Sequence, residues 1–245
     1  MYQFFIEDEN AAEDFVTIEG SDVNHIKNVL RMKPGEKIRV CTRNGQNYFC
    51  SISDITESFV RADILEKEAE STELPCRIYL FQGLPKNDKM EWIIQKTVEL
   101  GVYEVIPVAM KNCVVKLDDK KAKSKVTRWQ AIAESAAKQS KRSLIPEVKM
   151  PMSYKEAVAY AKKLDVKLVP YENEHGMAGT KAAMEQIKKG ERIAVFIGPE
   201  GGFEEKEVET AISEGAKPIT LGKRILRTET AGLAILSVLM FQLEQ

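Results

Sequence analysis

The sequence predicts a two-domain α/β protein, with a small β-barrel followed by a parallel sheet covered by helices on both faces. Three observations predict it. Short β-type runs rich in β-branched and aromatic residues fill the first seventy positions, and after Pro75 the rhythm changes to alternating strand and helix. Several later strands, such as RIYLFQG and RIAVFI, are continuous apolar runs, as expected where a parallel sheet is buried on both faces. Charge changes sign across the same boundary: residues 1–70 carry 8 basic and 14 acidic side chains, a net of −6, and the rest carry 28 and 23, a net of +5.

In order, the first domain (1–70) has strands at 2–6 (YQFFI), 37–43 (KIRVCTR), 47–55 (NYFCSISDI) and 59–68 (FVRADILEKE). Pro34-Gly35 punctuates them, and Asn44-Gly45 between two alternating runs is a hairpin signal. A helix at 22–32, capped by Ser21 or Asp22, interrupts the strands. Residues 71–76 form a polar linker, and the second domain is 77–245. Its strands fall at 77–83, 103–108, 166–170, 192–197 and 217–221, and its helices at 87–100, 123–141, 153–163, 179–189, 203–214 and 229–243.

Composition excludes several classes. With 44% hydrophobic and 30% charged residues at a net charge of −1, the chain is too apolar and too evenly charged to be disordered. No uncharged apolar run approaches the roughly 18 residues that span a bilayer. The acidic start MYQFFIEDENAAEDF lacks a basic n-region, so it is no signal peptide and the expected compartment is the cytoplasm. Cys41, Cys50, Cys76 and Cys113 are too widely spaced for a metal or redox motif, and His25 and His175 complete no zinc set, so no metal is expected. They read as reduced thiols, although a Cys41–Cys50 pairing across the hairpin is geometrically possible. Near-neutral net charge weighs against a nucleic-acid partner, but segment 111–149 holds 11 basic and 4 acidic residues, a local net of +7.

Two glycine turns follow strands of the second domain. Ile197-Gly198-Pro199-Glu200-Gly201-Gly202-Phe203 lets the backbone approach a ligand closely, but it is neither GxGxxG nor a phosphate loop, and Glu200 disfavours a phosphate. By itself such a turn is equally a tight connection with no ligand. Leu221-Gly222-Lys223-Arg224-Ile225-Leu226-Arg227-Thr228-Glu229 ends a strand, passes three cations and starts a helix, with Thr228 as N-cap and Glu229 in the first turn. A third turn, Pro170-Tyr171-Glu172, also closes a strand. Ligands in open α/β sheets lie beyond the carboxyl ends of strands, so the three turns are candidates for one shared site.

IGPEGGF and LGKRILRTETA, with HIKNVLRMKPGEKI (25–38), KMEWIIQKTVELGVYEVIPV (89–108) and RWQAIAESAAKQSKRSLIPEV (128–148), resemble the RsmE family of 16S ribosomal RNA uridine-N3 methyltransferases, over nearly the whole chain. The resemblance implies a PUA-like RNA-binding barrel, a SPOUT methyltransferase domain with a trefoil knot, S-adenosylmethionine as cofactor, a homodimer, and the small ribosomal subunit's RNA as partner. It implies cofactor contacts from Pro170, Tyr171, Glu172, Ile197, Gly198, Pro199, Glu200, Gly201, Leu221, Gly222, Ile225, Leu226 and Thr228. A cofactor without phosphate also removes the objection raised by the missing phosphate motif.

Methylation at uridine N3 requires loss of a weakly acidic proton and stabilisation of a developing uracil anion. Arginine suits the second role, so Arg142 and Arg227 are the candidates, with Glu229 as a proton acceptor. Plainer readings are a solvated helix end for Arg142, a surface ion pair for Arg227, and a helix-start residue for Glu229. Lys111, Lys138 and Lys141 in the basic segment, and Lys27, Arg31 and Lys33 beside the first proline-glycine turn, are candidate RNA contacts. Gln3 and Asn112 depart from the family, which has basic residues there. A ribose 2′-oxygen methyltransferase, a non-catalytic RNA-binding protein and an ordinary nucleotide-binding enzyme are the alternatives.

Overall fold

The computed structural model describes residues 1–68, 71–171 and 176–244. Its contacts group into two compact units, Met1–Glu73 with Ala137–Ile145, and Leu74–Ala136 with Pro146–Gln245.

The first unit is one five-stranded sheet curled around its own core. Strands β1 (Tyr2–Ile6), β2 (Phe15–Glu19), β3 (Lys37–Thr42), β4 (Asn47–Ile55) and β5 (Phe59–Glu68) lie in the order β1-β3-β4-β5-β2. The β1–β3 pair is parallel and the others antiparallel. Two register shifts in the β4–β5 ladder bend the strands, as bulges do. Alternation along the strands turns Phe4, Ile18, Ile38, Val40, Ile52 and Val60 inward, all at most 2% exposed. The β3–β4 turn is the hairpin expected at Asn44-Gly45, with Gly45 at φ +87°. Cys41 and Cys50 are buried and free.

Two details differ from the sequence reading. Strand β2 was not expected. The predicted helix is α1 (Ser21–Asn24) continued by a π-helical turn, His25–Val29, and it starts from Gly20 at φ +71° with no side-chain cap, so neither Ser21 nor Asp22 caps it.

The second unit is built on β6 (Arg77–Gly83), α2 (Lys89–Glu99), β7 (Val102–Ala109), α3 (Asp119–Ser140), the two-residue strands β8 (Glu147–Val148) and β9 (Met152–Ser153), α4 (Tyr154–Ala161), β10 (Val166–Pro170), α5 (Met177–Glu185), β11 (Arg192–Ile197), α6 (Glu205–Ser213), β12 (Lys217–Ile219) and α7 (Thr228–Leu243). The last turn of α3, from Ala137, groups with the first unit. All strand pairs are parallel, in the order β12-β10-β11-β6-β7-β8, and β9 also pairs with β7. Central strands β6 and β11 are buried almost throughout, with Phe81 stacked on Phe196 at 4.5 Å between ring centroids. Because the strands run the same way, β10, β11 and β12 deliver their following turns to one edge of the sheet. Among the described residues, no helix is long and apolar enough to cross a membrane.

Candidate active site

The turns after β10, β11 and β12 enclose one cavity of about 710 Å³. Of the residues expected there, Pro170, Tyr171, Ile197, Gly198, Pro199, Glu200, Leu221, Gly222, Ile225, Leu226 and Thr228 line the wall, and so does Arg227. Glu172 lies outside the described residues. Gly201 is not in the wall but behind it, where a Cβ would come within 3.0 Å of Asn112 Cβ.

Thr228 is not the N-cap of α7; Arg227 holds that position in extended conformation. The Thr228 side chain, 5% exposed, instead donates to the Gly198 carbonyl at 2.6 Å and accepts from Gln82 Nε2 at 2.8 Å. One hydroxyl thus ties the α7 start to the glycine turn and to the end of β6. Gly222 has φ +113°, a conformation open to glycine, and its N–H donates to Thr220 Oγ1. Asn112 Nδ2 donates to the carbonyls of Gly201 and Gly202 at 3.1 and 3.2 Å, fixing the other side of the turn.

The charged part of the wall is centred on Lys89, which the sequence reading missed. Its Nζ lies 3.1 Å from Glu200 Oε1 and 3.3 Å from Glu229 Oε2. Glu200 also accepts the backbone N–H of Lys86 at 3.0 Å. Its carboxyl lies below the ordinary carboxylate range: burial opposes ionisation, but the Lys86 N–H and the Lys89 ammonium outweigh it. Hydrogen bonding to Glu200 raises Lys89 in turn. Glu229 is not a wall residue; its Oε2 is buried, with the Lys89 ammonium beside it.

Gly83 and Gln82 were also missed. A Cβ on Gly83 would stand 2.6 Å from Pro199 N, so only glycine lets the turn rest on the end of β6. A polar Gln82 followed by glycine at the end of an apolar strand was the available signal.

The remaining candidates belong to other places. Arg142 is in the first unit, 4% exposed, with Nε 3.2 Å from Glu73 Oε2. Its neighbours are pinned as well: Arg39 and Thr72 donate to Lys141 O, Gln3 to Arg142 O, and Asn47 to Ser143 Oγ. Lys141 takes φ +62° within that net. Gln3, buried at 4%, is thus a strut of the first unit. Lys138 pairs with Asp22 and Lys27 with Glu57, whereas Arg31 and Lys33 are exposed. In the basic segment, Lys111, Lys116, Lys120 and Lys123 are exposed and form no ion pair among the described residues, unlike Lys121, Lys125 and Arg128.

A family model described as an RNA methyltransferase domain matches residues 72–240, and one described as an RNA methyltransferase PUA domain matches 18–65. The chain is 39% identical to the ribosomal RNA small subunit methyltransferase E of Bacillus subtilis, covering 100% of this chain and 98% of that one. The chain belongs to the ribosomal RNA small subunit methyltransferase E family. The member from Mesomycoplasma hyopneumoniae is 36% identical over 97% of this chain and 98% of its own. A crystal structure of the family member from Neisseria gonorrhoeae, bound to S-adenosylmethionine, superposes with a TM-score of 0.84 at 33% identity, covering 99% of this chain and 98% of that one.

The wall fits such a cofactor. Its volume is in the range of small-molecule sites, glycine-rich turns expose backbone groups beside Ile197, Phe203, Leu221 and Leu226, and the Glu200 carboxylate stands in the wall among the cations Lys89, Lys223, Arg224 and Arg227.

Proposed function

We propose that this chain methylates N3 of a specific uridine in the 16S ribosomal RNA of the small subunit, using S-adenosylmethionine. The observation that carries this reading is the single cavity formed by the three strand-end turns, in a chain of this family. When bound, S-adenosylmethionine supplies an electrophilic methyl group on a cationic sulfur. The backbone groups of Leu221, Ile225 and Leu226 would hold its adenine, and Thr228, Gln82 and Asn112 keep the surrounding turns in place. Arg227, exposed in the wall at the start of α7, meets a uracil carbonyl oxygen and stabilises the anion left when the N3 proton passes to solvent water. Arg142 and Glu229 take other parts in this account: Arg142 braces the first unit through Glu73, and Glu229 stands behind Lys89.

The RNA contacts in the second unit are Lys111, Lys116, Lys120 and Lys123, cations with no ion pair among the described residues, and those in the first unit are Arg31 and Lys33. The working form is a cytoplasmic homodimer whose C-terminal segment is threaded as a trefoil. Calorimetry with S-adenosylhomocysteine tests the reading at its base. It predicts saturable binding at one site per chain, and no detectable binding would overturn it.

A further inference from the structure

The three charged groups at the cavity come from three separate segments: Lys89 opens α2, Glu200 lies in the turn after β11, and Glu229 is in the first turn of α7. They meet at one ammonium, with carboxylate oxygens at 3.1 and 3.3 Å. None is freely solvated; side-chain exposures are 28%, 25% and 17%. The cluster carries one negative charge in excess, and the buried Glu229 oxygen faces the Lys89 ammonium.

The charge of such a methyl donor changes in its reaction. S-adenosylmethionine carries one more positive charge than the S-adenosylhomocysteine left behind, and the two are otherwise nearly identical in shape. The ratio of their affinities therefore reports the electrostatic potential that the protein sets up in the cavity, while shape and apolar contact largely cancel. Lys223, Arg224 and Arg227, exposed in the same wall, lower that ratio by the same amount whatever stands at Lys89.

Resting on the cofactor reading above, we infer that Lys89, Glu200 and Glu229 form the element that makes the site prefer the cationic methyl donor to its neutral product, with Lys89 setting the size of that preference. The two carboxylates draw in the donor. Lys89 offsets one of them, so the preference stays moderate and the cavity wall is not left with two uncompensated like charges. Lys89 is a specificity-determining residue in this scheme and does not itself take part in bond making.

The test is equilibrium binding of S-adenosylmethionine and S-adenosylhomocysteine to the full chain, by calorimetry at pH 8, where carboxylates are ionised. Lys89→Met leaves two negative charges and should raise the preference for S-adenosylmethionine by about tenfold. Glu200→Gln leaves the cluster neutral and should lower it by about the same factor. Lys89→Arg should leave it unchanged. The double variant K89M/E200Q restores one negative charge and should return it to the wild-type value. If K89M does not fold, E200Q alone carries the comparison. A preference within about twofold of wild type in E200Q, or one that falls in K89M, overturns the inference. Wild-type protein that binds neither ligand overturns the cofactor reading itself.

Discussion

Gly83→Ala is the substitution whose consequence follows most directly from the geometry. The added Cβ would lie 2.6 Å from Pro199 N and 2.8 Å from Pro199 Cδ, where ordinary contact begins at 3.4 Å. Both neighbours belong to a rigid turn, so the backbone at 198–199 must retreat by about 0.8 Å. The Gly198 carbonyl then moves relative to Thr228 Oγ1, which it meets at 2.6 Å. Overpacking of this kind costs about 1–3 kcal/mol, and in a chain of this size each 1 kcal/mol lowers the melting midpoint by about 2–4 °C. The expected drop is therefore about 2–12 °C. Because the distorted turn is the cavity wall, S-adenosylhomocysteine affinity should fall about ten- to hundredfold. Gly179→Ala in α5 is the control: a Cβ there meets nothing within 4 Å, and alanine should stabilise the helix by up to about 1 kcal/mol. Calorimetry and thermal melts of the two variants check the reasoning. Wild-type affinity and midpoint in G83A would refute it.

Arg142→Ala removes one partner of a buried ion pair and should destabilise the first unit by about 3–5 kcal/mol in denaturant titrations, leaving S-adenosylhomocysteine affinity unchanged; wild-type stability with lost turnover would instead make Arg142 a substrate-facing cation. Arg227→Ala should lower RNA methylation at least tenfold with cofactor affinity within about threefold, because its exposed side chain is assigned to the base; a parallel loss of cofactor affinity would contradict that assignment. Burial pushes the Cys41 and Cys50 thiols from 9.0 up to about 12. Their pKa values are raised on folding, so their contribution is fully present below pH 9 and is lost as pH rises towards 12. Alkaline melts of the first unit should show that loss, and a C41A/C50A variant should show less of it.

Strands β6, β10 and β11 were legible to the residue, because their apolar runs end at glycine, proline or charged positions that also end the ladders. The alternating FVTIE of β2, followed by Gly20, carried the same kind of signal and was overlooked. Strands β8 and β9 were not legible, since two residues become a strand only through pairing with β7. The π-turn after Asn24 likewise depends on how the segment sits on the barrel core, which local pattern does not report. At the site, the glycine turns were visible as motifs, but their fastenings were not. Thr228 looked like a helix cap because its partners, Gly198 and Gln82, lie 30 and 146 residues away in sequence. Lys89 looked like one more surface lysine at a helix start until the fold brought Glu200 and Glu229 to it. Arg142, a candidate for stabilising the uracil anion, is buried and hydrogen-bonded to Glu73, 69 residues away in sequence, a partner that the local basic pattern does not report.

The most direct test of the central claim is nucleoside analysis of small-subunit RNA from a strain lacking the enzyme, after incubation with this protein and methyl-labelled S-adenosylmethionine. The account predicts label in N3-methyluridine at a single position. Label in a ribose 2′-oxygen, or RNA left unlabelled by protein that binds the cofactor, would contradict it.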